Sequence, residues 1–258
     1  MNASPLSPNG RRYGWKPDPA RAPRAGGGGI LLSTDRTPAK DDHLVLMVDQ
    51  VFDQARTSSC FSQAAATCIQ VCLRLRGIID TPSRLAIYAM GRVVGGADAF
   101  ALPDEGTVPM FGVEAMAKWG ICSEIFWPWD PVLINEPVPW DVIKDAAEFV
   151  VTGWQKLGLD KDAVKLAITS GYPVMFGMPV DQAYEEYTSG IYGGVTGKIL
   201  GGHMQTIVGY DGDVFNVLNS WGASFGESGY SKMPSSWLFA GQCSDFYALE
   251  SSPMKRQP

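Results

Sequence analysis

The stretch Gln54-Ala55-Arg56-Thr57-Ser58-Ser59-Cys60-Phe61-Ser62-Gln63 decides the architecture of this 258-residue chain. After Cys60, apolar residues recur at three- and four-residue steps, which predicts a helix. Ser58 or Ser59 can cap its start, and Gly77 can end it. The pattern therefore places the Cys60 thiol at a helix N-terminus, where the helix dipole and unpaired N–H groups favour the thiolate.

The patterns change along the chain, from helical in its first half to strand-like in its second. Ser83 is placed to cap a second helix, and a third helix is predicted from Phe111 to Trp119. Asp160 can cap a short helix over residues 160–170. The predicted strands are Leu44–Val48, Tyr172–Val180, Met204–Tyr210 and Val214–Leu218, the last two joined as a hairpin by Asp211-Gly212-Asp213. Helices followed by strands predict an α+β protein with two lobes.

Charge is unevenly distributed along the chain. Seven of the 21 Lys and Arg residues but two of the 27 Asp and Glu residues fall within residues 1–40, which leaves a net charge of −11 over 41–258. The total charge of −6 argues against nucleic acid as a partner. A Pro-, Arg- and Gly-rich composition that ends in Gly26-Gly27-Gly28-Gly29 predicts a flexible arm. We expect this basic arm either to lie on the acidic body or to extend into solvent.

The predicted organisation has three parts. Residues 1–40 form the N-terminal arm, residues 41–250 form the folded domain, and residues 251–258 form a flexible tail. Within the domain, the helical lobe spans about 41–150 and the strand-rich lobe about 151–250. An ordered strand is expected to begin at Ile30-Leu31-Leu32.

Five cysteines, an odd number, predict free thiols. Cys68 and Cys72 lie four apart on one helix face, a spacing that does not suit a disulfide within a regular helix. No Cys-x-x-Cys pair suggests zinc or redox cycling, so no metal and no cofactor are expected. Free thiols favour a reducing compartment such as the cytoplasm.

Neither export through the Sec pathway nor membrane insertion is predicted. The N-terminus has no apolar signal segment, and no run of 18 apolar residues occurs in the sequence. Delivery by another secretion route or in a virus particle stays open. We expect a monomer with no membrane partner.

A nucleophilic cysteine needs a histidine to hold it as a thiolate–imidazolium pair, and the chain has two histidines. His43 lies in a charged segment, which favours a surface position. His203 follows Gly201-Gly202, where small residues let the backbone approach a site closely. Asn219 ends the second hairpin strand, so antiparallel pairing brings it near His203, where its amide oxygen can accept an imidazole N–H.

Cysteine chemistry also needs hydrogen-bond donors for an oxyanion. The Gln54 side chain and the Cys60 backbone N–H can supply them. Trp221, which follows Asn219-Ser220, can shield the His203–Asn219 bond from water. Each feature alone also fits a structural role, since a surface glutamine, a buried histidine and a core tryptophan are all common.

Together these features resemble the papain family of cysteine peptidases. The series Gln-x5-Cys, Gly-Gly-His and Asn-Ser-Trp-Gly-x3-Gly-x3-Gly-Tyr is similar to the family's order and spacing, over roughly residues 45–250. The segment Tyr13-Gly14-Trp15-Lys16-Pro17-Asp18 is similar to one in the family's bacterial and viral branch. The resemblance implies a helical lobe whose central helix carries the catalytic cysteine, an antiparallel β-barrel-like lobe, and an active site in the cleft between them.

The resemblance also implies residue roles. Cys60 would be the nucleophile, His203 the general acid/base, Asn219 the residue that orients it, and Gln54 a donor of the oxyanion hole. Because the family's groups are all present, the expected activity is that of a cysteine endopeptidase acting on protein or peptide substrates through a thioester at Cys60. Two alternatives stay open: a catalytically silent relative that binds a peptide or partner, and an acyl transferase or amidase with the same groups.

Three further residues are implied to bind substrate. Gly106 falls in the loop whose backbone pairs with extended substrates, Met204 would line the main specificity pocket, and Trp221 completes the set. The sequence departs from the family at Thr57, which replaces a cysteine that normally forms a disulfide. The arm is too short for the usual inhibitory pro-domain, so we expect it to be an autoinhibitory or stabilising strap across the body or near the cleft.

Overall fold

The structure, a computed structural model, describes residues 6–20, 25–27, 32, 41–145 and 147–253. Its helices are α1 (Cys60–Arg74), α2 (Arg84–Val94), α3 (Pro109–Trp119), α4 (Trp140–Asp145), α5 (Lys161–Thr169), α6 (Gln182–Glu185) and α7 (Ser235–Leu238), with 3-10 turns at Val45–Met47 and Pro131–Asn135. Its strands are β1 (Ala25–Gly27), β2 (Asp41–His43), β3 (Ile121–Cys122), β4 (Ala147–Leu157), β5 (Val174–Val180), β6 (Gly201–Asp211), β7 (Val214–Leu218), β8 (Tyr230–Pro234) and β9 (Ser244–Pro253).

Helix α1 lies at the centre of the molecule. It spans 15 residues from Cys60, and all but its last residue are buried. One side packs against α2 and the other against β6 and β9. This all-round burial explains why small and apolar residues dominate the helix, as an exposed helix would carry one polar face. Within the described residues, none of the helices has the length and apolar character needed to cross a membrane.

The strands of the described residues form one antiparallel sheet in the order β1-β4-β9-β5-β6-β7-β8, with β2 added to β6 and β3 to β4. The predicted hairpin is present as β6 and β7, with Thr206 opposite Leu218. Gly212 turns between them with φ +55°, a conformation that favours glycine. Helices packed together with an antiparallel sheet confirm the predicted α+β class.

One predicted strand is wrong. Leu44–Val48 is not extended, since Val45–Met47 form a 3-10 turn. The pairing with β6 is made by the preceding residues Asp41–His43, and the Leu44 N–H then bonds the Val208 carbonyl at 2.7 Å. The apolar run therefore packs against the sheet as a single turn, a tertiary preference that overrides its strand propensity.

The two long strands β4 and β9 shift the predicted boundaries. The predicted division between lobes at residue 150 falls inside β4, which pairs with β9 along most of its length. Strand β9 continues to Pro253, so the predicted tail over 251–258 begins too early. Ser251 is fully buried, and its hydroxyl donates to the Val150 carbonyl at 3.0 Å. Residues 254–258 lie outside the described residues.

The arm is not the flexible linker that its composition predicts, at least in its described parts. Ala25–Gly27 form β1 against β4. Residues 6–20 lie across the body, with Trp15 bridging to Thr107. Of the strand expected at Ile30-Leu31-Leu32, the first two residues lie outside the described residues, as do 1–5, 21–24 and 33–40.

Candidate active site

Cys60 begins α1 and is completely buried. The backbone N–H groups of Met204, Gly14 and Phe61 lie near its sulfur and act to lower the pKa of the thiol. Burial nevertheless raises the pKa of the thiol to about 11, and the backbone donors offset only part of that effect. The thiolate expected from the helix terminus is thus disfavoured in this conformation, because desolvation outweighs the helix dipole.

His203 lies near the start of β6, and its Nε2 is 2.8 Å from Asn219 Oδ1. The Ser220 backbone N–H donates to the same Oδ1 at 2.7 Å. Because a backbone N–H can only donate, the atom it meets must be the amide oxygen, and the imidazole therefore carries its proton on Nε2. Nδ1 then keeps its lone pair, and it has no hydrogen-bond partner among the described residues. His203 and Asn219 are therefore in contact, as the antiparallel pairing of the predicted hairpin requires.

The imidazole is enclosed by aromatic rings. Trp221 stacks on it with centroids 4.7 Å apart, and Tyr13 of the arm meets its edge at 6.4 Å. Burial lowers the pKa of His203 to about 3, and the nearby positive charge of Arg11 acts in the same direction. Cys60 and His203 are therefore both neutral around pH 7 while the arm lies over them.

Gln54 is buried and joins three parts of the site. Its Oε1 accepts from the Ser220 hydroxyl at 2.8 Å, and its Nε2 donates to the Thr57 carbonyl at 2.8 Å. The same Nε2 lies 3.4 Å from the carbonyl oxygen of Arg12 in the arm. Gln54, the predicted oxyanion donor, thus faces a main-chain carbonyl of the arm, a group that a peptide also carries.

Of the residues predicted to bind substrate, Gly106 and Met204 lie close to the arm or to Cys60. Thr107, which sequence analysis missed, makes the main-chain pairing, since its N–H donates to Gly14 at 2.9 Å and its carbonyl accepts from Lys16 at 3.3 Å. Gly106 instead donates its N–H to the Tyr88 hydroxyl, and a Cβ there would come within 2.0 Å of the Gly14 oxygen. Gly106 therefore provides space beside the pairing residue. Met204 presents its backbone N–H to Cys60.

The loop before Cys60 is held by Asp104 where the family has a disulfide. The Asp104 carboxylate accepts from the Ser58 N–H at 2.9 and 3.1 Å and from the Tyr88 hydroxyl at 2.8 Å. Thr57, in place of the missing cysteine, donates its hydroxyl to the Gln54 carbonyl at 2.7 Å. A buried, fully bonded carboxylate thus takes over the cross-linking of this loop.

The arm lies in the cleft between the two lobes. Gly14 sits over Cys60, and a Cβ on it would come within 1.7 Å of the Ser58 oxygen. The Trp15 N–H donates to Gly202 at 3.2 Å, and its indole fills space left by glycine at Gly177, where a Cβ would lie 2.1 Å from the ring. Such close contacts explain why glycine is needed at these positions.

A buried ionic cluster fixes the arm beyond Trp15. The indole Nε1 donates to Asp245 at 2.9 Å, and Lys156 bridges Asp245 at 2.6 Å and Asp18 at 2.8 Å. The Asp18 side chain is fully buried and also accepts from the Tyr247 hydroxyl and the Met110 N–H. Although burial opposes the charge on Lys156, its hydrogen bonds to Asp18 and Asp245 raise its pKa.

Among the described residues, no three His, Cys, Asp or Glu side chains are arranged to hold a metal ion. The arrangement that is present suits acyl transfer to a thiol. It provides a sulfur, a histidine with a free Nδ1 lone pair, an asparagine that fixes the histidine tautomer, and donors for an oxyanion.

The folded chain should lose stability as the pH falls from 7 to 4.5. His203 has its pKa lowered from 6.5 to about 3, so the unfolded chain binds a proton below pH 6.5 that the folded chain does not. Stability is therefore highest above that value and falls by up to about 1.4 kcal/mol per pH unit beneath it. Urea unfolding at half-unit pH intervals measures this slope.

The control for that titration is built into the chain, which has a second histidine at the surface. His203→Gln should flatten the slope between pH 6.5 and 4.5, whereas His43→Gln should leave it unchanged. Equal slopes in the unmodified chain and in His203→Gln would show that His203 is not held neutral by burial.

A cysteine at the start of a buried central helix, beside a histidine–asparagine pair on an antiparallel sheet, defines a papain-like site. The family model for papain family cysteine proteases matches residues 141–244, which include His203 and Asn219 but not Cys60. Xylellain, a cysteine protease from Xylella fastidiosa, superposes with a TM-score of 0.78 at 28% identity, over 92% of this chain and 95% of that one. The chain therefore has the fold of xylellain and is similar to papain family cysteine proteases over residues 141–244.

Relatives in sequence agree with this assignment. A peptidase C1-like protein of Acanthamoeba polyphaga mimivirus, itself uncharacterized, is 27% identical over 185 residues, or 66% of this chain and 58% of the viral protein. Cathepsin B-like CP3 of Giardia intestinalis is 37% identical over 81 residues, or 30% of this chain and 27% of that protein. The chain thus spans between about a quarter and three fifths of the length of these two relatives.

Proposed function

We propose that the chain is a cysteine endopeptidase that hydrolyses peptide bonds of proteins or peptides. The observation that supports it most strongly is the His203 tautomer, since Asn219 fixes the proton on Nε2 and leaves Nδ1 to take the Cys60 proton. A silent binding protein would have no use for that lone pair. The proposal extends to a monomer that works in a reducing compartment, which five free thiols support.

The reaction begins with transfer of the Cys60 proton to His203. The thiolate attacks the substrate carbonyl carbon, and the oxyanion is held by the Cys60 N–H and the Gln54 amide. The imidazolium then protonates the amine leaving group, which breaks the C–N bond and leaves a thioester. Water, deprotonated by His203, hydrolyses the thioester and restores the thiol.

We also propose that the arm holds this site latent. It supplies a donor to the sulfur, places a carbonyl at Gln54, and excludes water from both titrating groups. Each of these contacts must be lost before a substrate can reach Cys60. The five thiols differ little in exposure in this state, because all are buried.

Alkylation by an epoxide inhibitor of thiol proteases tests the function. We expect one adduct per chain, mapped by peptide mass spectrometry to Cys60, with faster labelling when the arm is loosened by Trp15→Ala. Prior labelling of Cys68 or Cys122, or an unlabelled Cys60 in both forms, would contradict the proposal. Labelling at Cys60 without cleavage of any peptide in a diverse library would favour a transferase or amidase instead.

A further inference from the structure

The arm places a positive charge on an aromatic ring beside the proposed catalytic residues. The guanidinium carbon of Arg11 lies 4.1 Å from the centre of the Trp221 ring. Burial lowers the pKa of Arg11, while the charges of Glu185 and Asp53 act in the opposite direction. The guanidinium therefore occupies a half-buried seat with an aromatic face and two acidic neighbours, the surroundings that favour cation–π binding.

Glu185 ends α6 and is 7% exposed. It accepts hydrogen bonds from Ser7 Oγ at 2.5 Å, from Asn9 Nδ2 at 2.9 Å and from the Tyr13 hydroxyl. Within the described residues, every hydrogen bond to its carboxylate comes from the arm. When the arm leaves the cleft, the Glu185 carboxylate loses these partners, and a cationic side chain of a bound peptide can take their place.

Trp221 is a fixed platform rather than a mobile side chain. It is 3% exposed, stacks on His203, and meets the Phe225 ring edge-on at 5.0 Å between centroids. Arg11 lies over the same ring, at 4.1 Å from its centre. A ring held in this way keeps its orientation when its ligand is exchanged, so the seat survives removal of the arm.

Two side chains of the arm, Arg11 and Trp15, are held at different places near Cys60. Gly14 sits at the sulfur, Trp15 fills the pocket that ends at Asp245, and Arg11 lies three residues before Gly14 on Trp221. A peptide that reaches Cys60 along the path of the arm would place side chains near both positions. Of the two positions, one is filled by the Trp15 indole and the other, on Trp221, is filled by a guanidinium. The position on Trp221 therefore suits a cation.

We propose that Trp221 and Glu185 form a subsite that selects an arginine or lysine side chain of the substrate. The selected residue lies within two positions of the scissile bond, on the side away from the Trp15 pocket. This inference rests on the proposed peptidase function and deepens it by naming a substrate class. If the same residues only retained the arm, they would confer no preference on cleaved peptides.

The test uses the full chain with Trp15→Ala to loosen the arm. A set of peptides with one scissile bond carries Arg, Lys, Ala or Glu at each of the two positions on either side of it. At one position, on one side only, we expect Arg and Lys to raise kcat/KM about tenfold over Ala, an effect typical of a desolvated cation–π and charge pair. Mass spectrometry of the products identifies the position.

Glu185→Gln, added to that chain, should reduce the preference for a cation to twofold or less, and Glu185→Lys should turn it into a preference for Glu. The matched control is Glu186→Gln, which removes the same charge from the exposed neighbouring residue. A single cooperative melting transition verifies folding of each variant. Cleavage without a cationic preference, or a preference that survives Glu185→Gln, would overturn the subsite while leaving the peptidase intact. Failure to cleave any peptide would overturn both proposals.

Discussion

Cys60→Ala should reduce kcat/KM for peptide hydrolysis at least about a thousandfold, measured in the chain with the loosened arm. In the proposed mechanism, alanine removes the sulfur that forms the acyl-enzyme, and the oxyanion donors that remain give weak assistance to direct attack by water. Cys60→Ser should lose nearly as much, because a hydroxyl is far less acidic than a thiol and His203 must remove its proton unaided.

Cys68→Ala provides the matched control for this loss. Cys68 is equally buried in the same helix, and its thiol contacts the Pro173 carbonyl at 3.7 Å, away from the histidine. Either substitution removes one sulfur from the core and should cost about 1 kcal/mol of unfolding free energy. Activity should nevertheless stay within a few fold in Cys68→Ala. Turnover that persists in Cys60→Ala would assign the chemistry to another group.

The parts of the site carried by neighbouring residues could be predicted from the sequence. The helix after Cys60 has a local period, and the hairpin around Gly212 sets the register that brings His203 to Asn219. These predictions needed only residues close in sequence or joined by a tight turn. The roles of Cys60, His203, Asn219 and Gln54 stay predictions, since geometry alone does not measure a reaction.

What the sequence could not show depends on contacts between distant residues. Trp15 meets Asp245, which lies 230 positions away, and Lys156 lies 138 positions from Asp18. The composition of the arm, with many Pro, Arg and Gly residues, predicts flexibility, because no local sequence pattern encodes the distant residues that hold the arm in place. The long strands β4 and β9 were missed for the same reason. Thr107 has no side-chain signal, since it acts through its backbone.

The protonation state of Cys60 also could not be predicted from local sequence patterns. A helix N-terminus predicts a thiolate at Cys60, yet the thiol pKa is raised to about 11 because the arm and both lobes exclude water. The dipole effect amounts to about 1 kcal/mol, whereas full burial shifts a titration by several times that amount. Under the proposal that the arm holds the site latent, loss of the arm should lower the pKa of the Cys60 thiol and make it reactive.

Releasing the arm should raise activity by about ten- to a hundredfold. Trp15→Ala with Asp18→Asn removes an indole from its pocket and a buried carboxylate from Lys156, changes that each weaken docking by about 2 kcal/mol or more. Every 1.4 kcal/mol shifts the balance between docked and open states tenfold, until the open state predominates. Initial rates of peptide cleavage and of Cys60 alkylation should rise together.

Gly14→Ala tests release of the arm by a different route. Its Cβ would come within 1.7 Å of the Ser58 oxygen. The substitution should therefore push the arm away from the Cys60 sulfur while it leaves Trp15 and Asp18 unchanged. Lys16→Ala is the control, since Lys16 is exposed and its contact with Thr107 uses the backbone, so activity should change less than twofold. If the double variant melts at a lower temperature but cleaves no faster, the arm is a stabilising strap. If both rates rise, the neutral thiol and imidazole are the locked form of the site, and displacement of the arm is the step that restores their charge.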